Sequence, residues 1–186
     1  MLRPGTVLLI LLSLPLAATE AWVWIEGEAA ISSNFKPHNW YSDQVKQDLL
    51  SDGKWLTTFD GPANATASWT VELPSDGLWT LWLRANPIQA GLDWRLDAGA
   101  WQTVAVDQAQ DSLNLASDGK PDLRFVAWMK CGSAEVKAGQ HLLEVRTTAT
   151  LNHHAGIDAL LFTSKPFVPN GKTKPGTVLT EAEPGW

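Results

Sequence analysis

Three carboxylates in this chain have the type and placement to hold a hard cation: Glu26 and Glu28 in Trp-Ile-Glu-Gly-Glu, and Asp158 in Gly-Ile-Asp-Ala-Leu-Leu-Phe. On a strand, same-face residues lie two apart, so Glu26 and Glu28 would aim their carboxylates the same way. Two such charges repel unless something positive stands between them. Calcium takes about six to eight oxygen ligands, and two carboxylates from a first strand with one from a last strand would form the core of its shell. The same spacing also suits ordinary surface acids on an edge strand, and spacing alone leaves both readings open.

No familiar catalytic arrangement accompanies these acids. The chain has no Gly-x-Ser-x-Gly, no His-Glu-x-x-His and no phosphate-binding glycine loop. A glycosidase needs two opposed carboxylates, and Asp43, Asp48, Asp52, Asp60, Asp111 and Asp118 are loop acids from which such a pair could be drawn. The expectation is nevertheless a chain that is not itself an enzyme.

The first residues combine one positive charge, a short apolar run and small residues where cleavage would occur, the pattern of a secretory signal peptide over residues 1–21. The apolar run is shorter than the roughly 20 residues of a spanning helix, so the mature chain is expected to be exported, to the extracellular space or periplasm, without a membrane span. What remains is one domain's worth of chain. Cys131 is the only cysteine, so no internal disulfide can form and stability must come from packing, with or without a metal. A net charge of -6 argues against nucleic acid or an anionic membrane as partner and favours a neutral partner or a cation. Eleven tryptophans against one tyrosine and five phenylalanines is an unusual aromatic balance, in which some rings must pack the core and others are open to another role.

The elements that would position these residues are strands. Residues 67–73 (Ala-Ser-Trp-Thr-Val-Glu-Leu) and 78–84 (Leu-Trp-Thr-Leu-Trp-Leu-Arg) alternate apolar and polar residues, and Pro74-Ser-Asp-Gly77 between them reads as a hairpin turn. Residues 92–96, 101–106, 133–136, 141–147 and 157–163 continue the series, with only 43–50 offering a helical turn. Short strands with Gly- and Pro-rich turns predict an all-β fold, an antiparallel β-sandwich or jelly roll, over 22–163. Trp69, Trp79, Trp82, Trp94 and Trp101 fall within strand patterns and are expected to pack. Two long stretches, 32–54 and 108–123, are expected as loops, the first carrying Trp40 and Tyr41, and long loops on a rigid sandwich are where binding residues gather. Residues 164–186, broken by prolines, read as a linker leading toward a further, attached domain.

The order of Glu-x-Glu, Trp-Thr-Val-Glu-Leu-Pro-Ser-Asp-Gly-Leu-Trp-Thr-Leu-Trp-Leu-Arg-Ala, Val-Lys-Ala-Gly-Gln-His-Leu-Leu-Glu-Val and Gly-Ile-Asp-Ala-Leu-Leu-Phe resembles the galactose-binding-like β-sandwiches of carbohydrate-binding module families six and thirty-five, across roughly residues 24–163. The resemblance implies a structural calcium held by Glu26, Glu28 and Asp158. It also implies a monomeric, non-catalytic module that binds poly- or oligosaccharide in the loops at one end and targets an attached protein to it. Trp40 and Tyr41 would stack on a pyranose, since an indole or phenol offers an apolar face and a polar tip, although Trp40 could instead cap the core. Phe125 and Trp128 stand near the family's second aromatic, one expected to stack and the other to pack. The family's asparagine before Ile-Asp is here Gly156, and Asn152 and His153, with His154, could take its place in hydrogen bonding. A transition metal on the two histidines is the less favoured reading, because adjacent residues diverge on a strand. The competing class of function is a structural or adhesive domain whose aromatic residues anchor a protein interface.

Overall fold

The computed structural model describes residues 21–38, 44–59, 61–86, 91–148 and 154–177. The leader, Trp40, Tyr41, Asn152 and His153 lie outside these residues. Among the described residues the chain forms two antiparallel sheets facing one another, and no helix is long and apolar enough to cross a membrane.

The strands are β1 (Trp22–Glu26), β2 (Ser32–Ser33), β3 (Leu56–Thr58), β4 (Thr66–Leu73), β5 (Gly77–Asn86), β6 (Leu92–Leu96), β7 (Gln102–Thr103), β8 (Gln110–Asn114), β9 (Phe125–Val136), β10 (Gly139–Thr147) and β11 (Ala155–Thr163). One sheet runs β1-β11-β5-β9-β8, with β3 also pairing β11; the other runs β2-β4-β10-β6-β7. The chain ends of the domain meet as the two acidic motifs imply: β1 lies antiparallel to β11, with Trp22 opposite Thr163 and Glu26 opposite Ala159.

Period-two alternation places the core between the sheets. Trp69 and Val71 of β4, Trp79 and Leu81 of β5, Trp94 of β6, and Leu160 and Phe162 of β11 all point inward and are buried. The indole N–H groups that go inside find acceptors, Trp69 on the carbonyl of Gly27 at 3.1 Å and Trp94 on that of Cys131 at 3.2 Å, which removes the cost of burying a bare donor. Gly27 is fixed by space: a Cβ there would stand 2.1 Å from the carbonyl oxygen of Ile157. Trp101 packs on a sheet face as expected, with the guanidinium groups of Arg95 and Arg146 centred 4.4 and 4.3 Å from its ring.

Several local expectations are corrected. The turn after Pro74 does not close a hairpin, because β4 and β5 belong to different sheets. Residues 101–106 shorten to the two-residue β7, while β8 forms inside the expected 108–123 loop and β2 inside the expected 32–54 loop. The helical turn expected within 43–50 is present as the 3-10 turn Gln47–Leu49, and a second, Ser51–Gly53, follows it.

The six-stranded sheet is covered on its outer face too. Trp82, Trp128 and Leu161 point outward from it yet are buried beneath Trp22, Trp24 and Phe167. Phe167 belongs to the proline-rich segment expected as a linker. Its described part, 164–177, lies back across the sheet: Phe167 meets Trp82 and Trp128 edge-on at ring separations of 5.3 and 5.2 Å, and Thr163 Oγ1 donates to the carbonyl of Lys165. Proline bars this segment from pairing as a strand, but it does not bar it from packing.

Candidate functional site

Glu26 and Glu28 stand where the first and last strands meet, though not in the way strand alternation suggests. β1 ends at Glu26, and Glu28 stands in the 3-10 turn Gly27–Ala29 that follows. The two acids nevertheless sense each other. Burial pushes the Glu28 carboxyl above its ordinary value, the charges of Glu26 and Asp52 add to the rise, and its own backbone N–H and Lys54 oppose it. Glu26 Oε1 accepts from Trp24 Nε1 and from Lys174 Nζ, each at 3.0 Å. The second oxygen of each glutamate, Oε2, is buried without a hydrogen-bond partner.

Asp158 sits at a β-bulge, where the pairing of β11 with β5 shifts register between Ile157 and Ala159. A bulge re-aims the extra side chain, and here it turns the carboxylate to Arg84 of β5. Both side chains are 0% exposed and form a close ion pair, while the second carboxylate oxygen accepts from the N–H of Ser51 at 2.9 Å. Burial drives the Asp158 carboxyl up to about 6 even against Arg84 and the Ser51 N–H, with the charge of Glu26 contributing. Asp158 thus has its oxygens engaged, whereas Glu26 and Glu28 each keep an orphan. Among the described residues, no three Asp, Glu, His or Cys side chains stand together as a ready metal-holding group.

At the adjoining loop end, the connections are tied to one another by backbone and arginine contacts. Val45 bridges Ala116, Lys46 N–H donates to the Leu115 carbonyl at 2.7 Å, and Arg124 Nη1 donates to the carbonyl of Gln44 at 2.8 Å. Asn86 Nδ2 donates to the carbonyls of Leu123 and Phe125 at 2.8 and 2.6 Å, fixing the entry to β9. Between these tied loops and β3 lies a cavity of about 290 Å³ with walls of Phe35, Val45, Leu50, Trp55 and Leu56 and polar groups from Gln47, Lys54 and Thr57.

Trp55 is the aromatic that sequence reasoning passed over, although Gly156 marked its place. A Cβ on residue 156 would stand 2.9 and 3.0 Å from Cε3 and Cζ3 of the Trp55 indole and 3.3 Å from Cγ2 of Thr57. The space beside Ile-Asp is therefore filled by an indole, and no side chain at 156 can share it. His154 stacks on Phe59 with ring centroids 4.3 Å apart and planes 21° apart, and His38 meets the same ring edge-on at 5.4 Å.

Of the aromatic candidates within the described residues, Trp128 is a correction. It is 0% exposed, donates through Nε1 to the carbonyl of Gly171 at 2.8 Å and packs edge-on against Trp24, so no ligand can reach its ring. Phe125 is half-buried as the first residue of β9 and does not line the cavity.

No family model matches the chain, and no curated protein matches it. Solved structures do. The Podospora anserina GH26-CBM35 beta-(1,4)-mannanase matches over 80% of this chain and 29% of its own, at 19% identity and a TM-score of 0.53. The chain thus spans less than a third of that enzyme's length. The CBM35 of Cellvibrio japonicus Abf62 matches over 78% of this chain and 94% of its own, at 14% identity and a TM-score of 0.50. A third, Xyl-CBM35 solved in complex with a glucuronic acid containing disaccharide, matches over 77% of this chain and 94% of its own, at 14% identity and a TM-score of 0.50. The chain thus has a two-sheet antiparallel β-sandwich whose fold is similar to that of these solved modules.

Proposed function

We propose that a chain with this sandwich is a non-catalytic carbohydrate-binding module, exported and acting to hold an attached protein on a polysaccharide. The observation that carries the reading is an aromatic-walled cavity of about 290 Å³ at the loop end of a fold shared with such modules. Its mechanism is equilibrium binding: rings cover the apolar face of a pyranose, and polar side chains take its hydroxyls. Binding of this kind is weak per site and gains from tethering, because linkage raises the effective concentration of the attached partner. Trp40, Tyr41, Asn152 and His153 fall in the connections that adjoin this end in sequence and remain proposed sugar contacts.

We also propose a structural calcium. The fit rests on Glu26 and Glu28, whose two buried, unpartnered oxygens are the donors a hard cation takes. Asp158 is the third carboxylate, and it must exchange Arg84 or the Ser51 N–H to join them. When bound, calcium would neutralise the cluster and tie the first strand to the last.

The test is intrinsic tryptophan fluorescence of the chain from residue 22 onward, titrated with soluble β-1,4-mannan, glucuronoxylan and arabinogalactan. A saturable change with one of them, lost in Trp40→Ala without a change in melting temperature, is the expected result. Silence across the panel in a folded sample would move the function to a protein-interface domain.

A further inference from the structure

We propose that the cavity beside β11 is a pyranose subsite whose platform is Trp55, and that Gly156 is the position that makes room for it. This deepens the carbohydrate reading and rests on it.

The backbone at Gly156 does not demand glycine, since it is not among the glycines with a positive φ. Space does. The indole six-membered ring lies so close to β11 that any Cβ would meet Cε3 and Cζ3 at 2.9 and 3.0 Å, well inside normal carbon contact. β3 pairs β11 through Gly156 opposite Thr57, two residues beyond Trp55, so the ring is held against a central strand rather than on a free loop tip. A ring fixed in this way loses little conformational freedom on binding, which is what a stacking platform needs.

The indole is half-buried, in contrast to the fully buried Trp69, Trp79, Trp94 and Trp128 that build the core and the covered outer face. It shares its cavity with the apolar walls of Phe35 and Val45, while Gln47 and Lys54 stand exposed at the rim, where an amide and an ammonium can meet hydroxyl or carboxylate oxygens. A volume of about 290 Å³ lies just below the range of small-molecule sites, which runs from about 300 to 1,000 Å³. One pyranose unit fits that scale, so the occupant is a single sugar residue, whether at a chain end, on a side branch or within a chain that runs on past the rim.

The experiment incorporates 5-fluorotryptophan into the chain from residue 22 onward and follows its fluorine resonances during titration with the panel polysaccharides named above. The Trp55 resonance is identified by its loss in Trp55→Phe. The expected result is a saturable shift of that resonance, with at least tenfold weaker binding in Trp55→Ala and in Gly156→Ala, where the added methyl must displace the ring. If Gly156→Ala or Trp55→Ala does not fold, the fluorine shift in the unsubstituted protein decides. A polysaccharide that binds while the Trp55 resonance stays still overturns the subsite and leaves the binding-module reading standing. Absence of binding by every polysaccharide, in a folded sample, overturns both.

Discussion

The indole N–H of Trp128 reaches the carbonyl of Gly171 at 2.8 Å, joining the middle of β9 to a segment whose prolines read as a linker. That bond is one of several. Lys172 Nζ donates to the carbonyl of Leu50 at 3.2 Å, Lys174 Nζ reaches Glu26, and Phe167 sits on Trp82 and Trp128. Residues 164–177 are therefore part of the folded unit, because without them a tryptophan-rich face would meet water.

Deleting 164–186 should lower stability and increase binding of a hydrophobic dye relative to a chain ending at 177. Phe167→Ala alone should cost about 1–3 kcal/mol, less than the 3–5 of a fully buried phenylalanine because the ring is half-buried. Urea denaturation of the three chains checks this, and equal stability of the chain ending at 163 would refute it.

The Arg84–Asp158 pair is buried on both sides, so removing one partner leaves an uncompensated charge. Arg84→Met should destabilise by about 3–5 kcal/mol, and Arg84→Met combined with Asp158→Leu should cost less than the two single changes together. A double-mutant cycle in denaturant reads the difference directly.

The same pair gives a pH signature. Asp158 has its folded-state value raised to about 6 from an ordinary 3.8, so between these the folded protein binds the extra proton. Its contribution to stability is then most favourable below pH 4 and declines as pH rises toward 6, staying level above. Asp158→Asn should remove this slope. Chemical denaturation at a series of pH values from 4 to 7 compares the two.

His141 acts at higher pH. Burial lowers its value, but hydrogen bonds to Asp97 at 2.9 Å and to the Lys137 carbonyl at 2.8 Å outweigh that and raise it. A raised histidine stabilises the fold below its unfolded value and loses that contribution as pH rises through the folded one. The melting temperature should therefore fall more steeply between pH 6 and 8 in the unsubstituted protein than in His141→Gln. The effect should be small, since Asp97 is largely exposed.

If Glu26 and Glu28 hold calcium, the ion should raise stability by about 2.7 kcal/mol when its concentration is a hundred times the dissociation constant. Glu26→Gln with Glu28→Gln should abolish the response. Melting in millimolar calcium against chelator measures it, and an unchanged melting temperature in the unsubstituted protein would remove calcium from the account.

Much of the sandwich was legible because period-two alternation is a local property. Residues 67–73 and 78–84 announce strands whichever sheet they join, and the pairing of the two acidic motifs as β1 and β11 follows from their position at the ends of the domain. The choice of sheet was not legible: Pro74-Ser-Asp-Gly77 turns the chain equally well within one sheet or between two. The role of Trp128 was equally hidden, since its partners Trp24, Phe167 and Gly171 are distant in sequence.

By itself the chain of residues determined an all-β domain with two acidic motifs at its ends and an unusual aromatic balance, because composition, charge and alternation are carried by neighbours. Tertiary structure alone decided that Asp158 turns at a bulge to face Arg84, that the proline-rich segment covers the outer sheet, and that Trp55 takes the space that glycine at 156 leaves open. Those outcomes depend on contacts between residues as many as 148 positions apart, and only packing brings such residues within reach of one another.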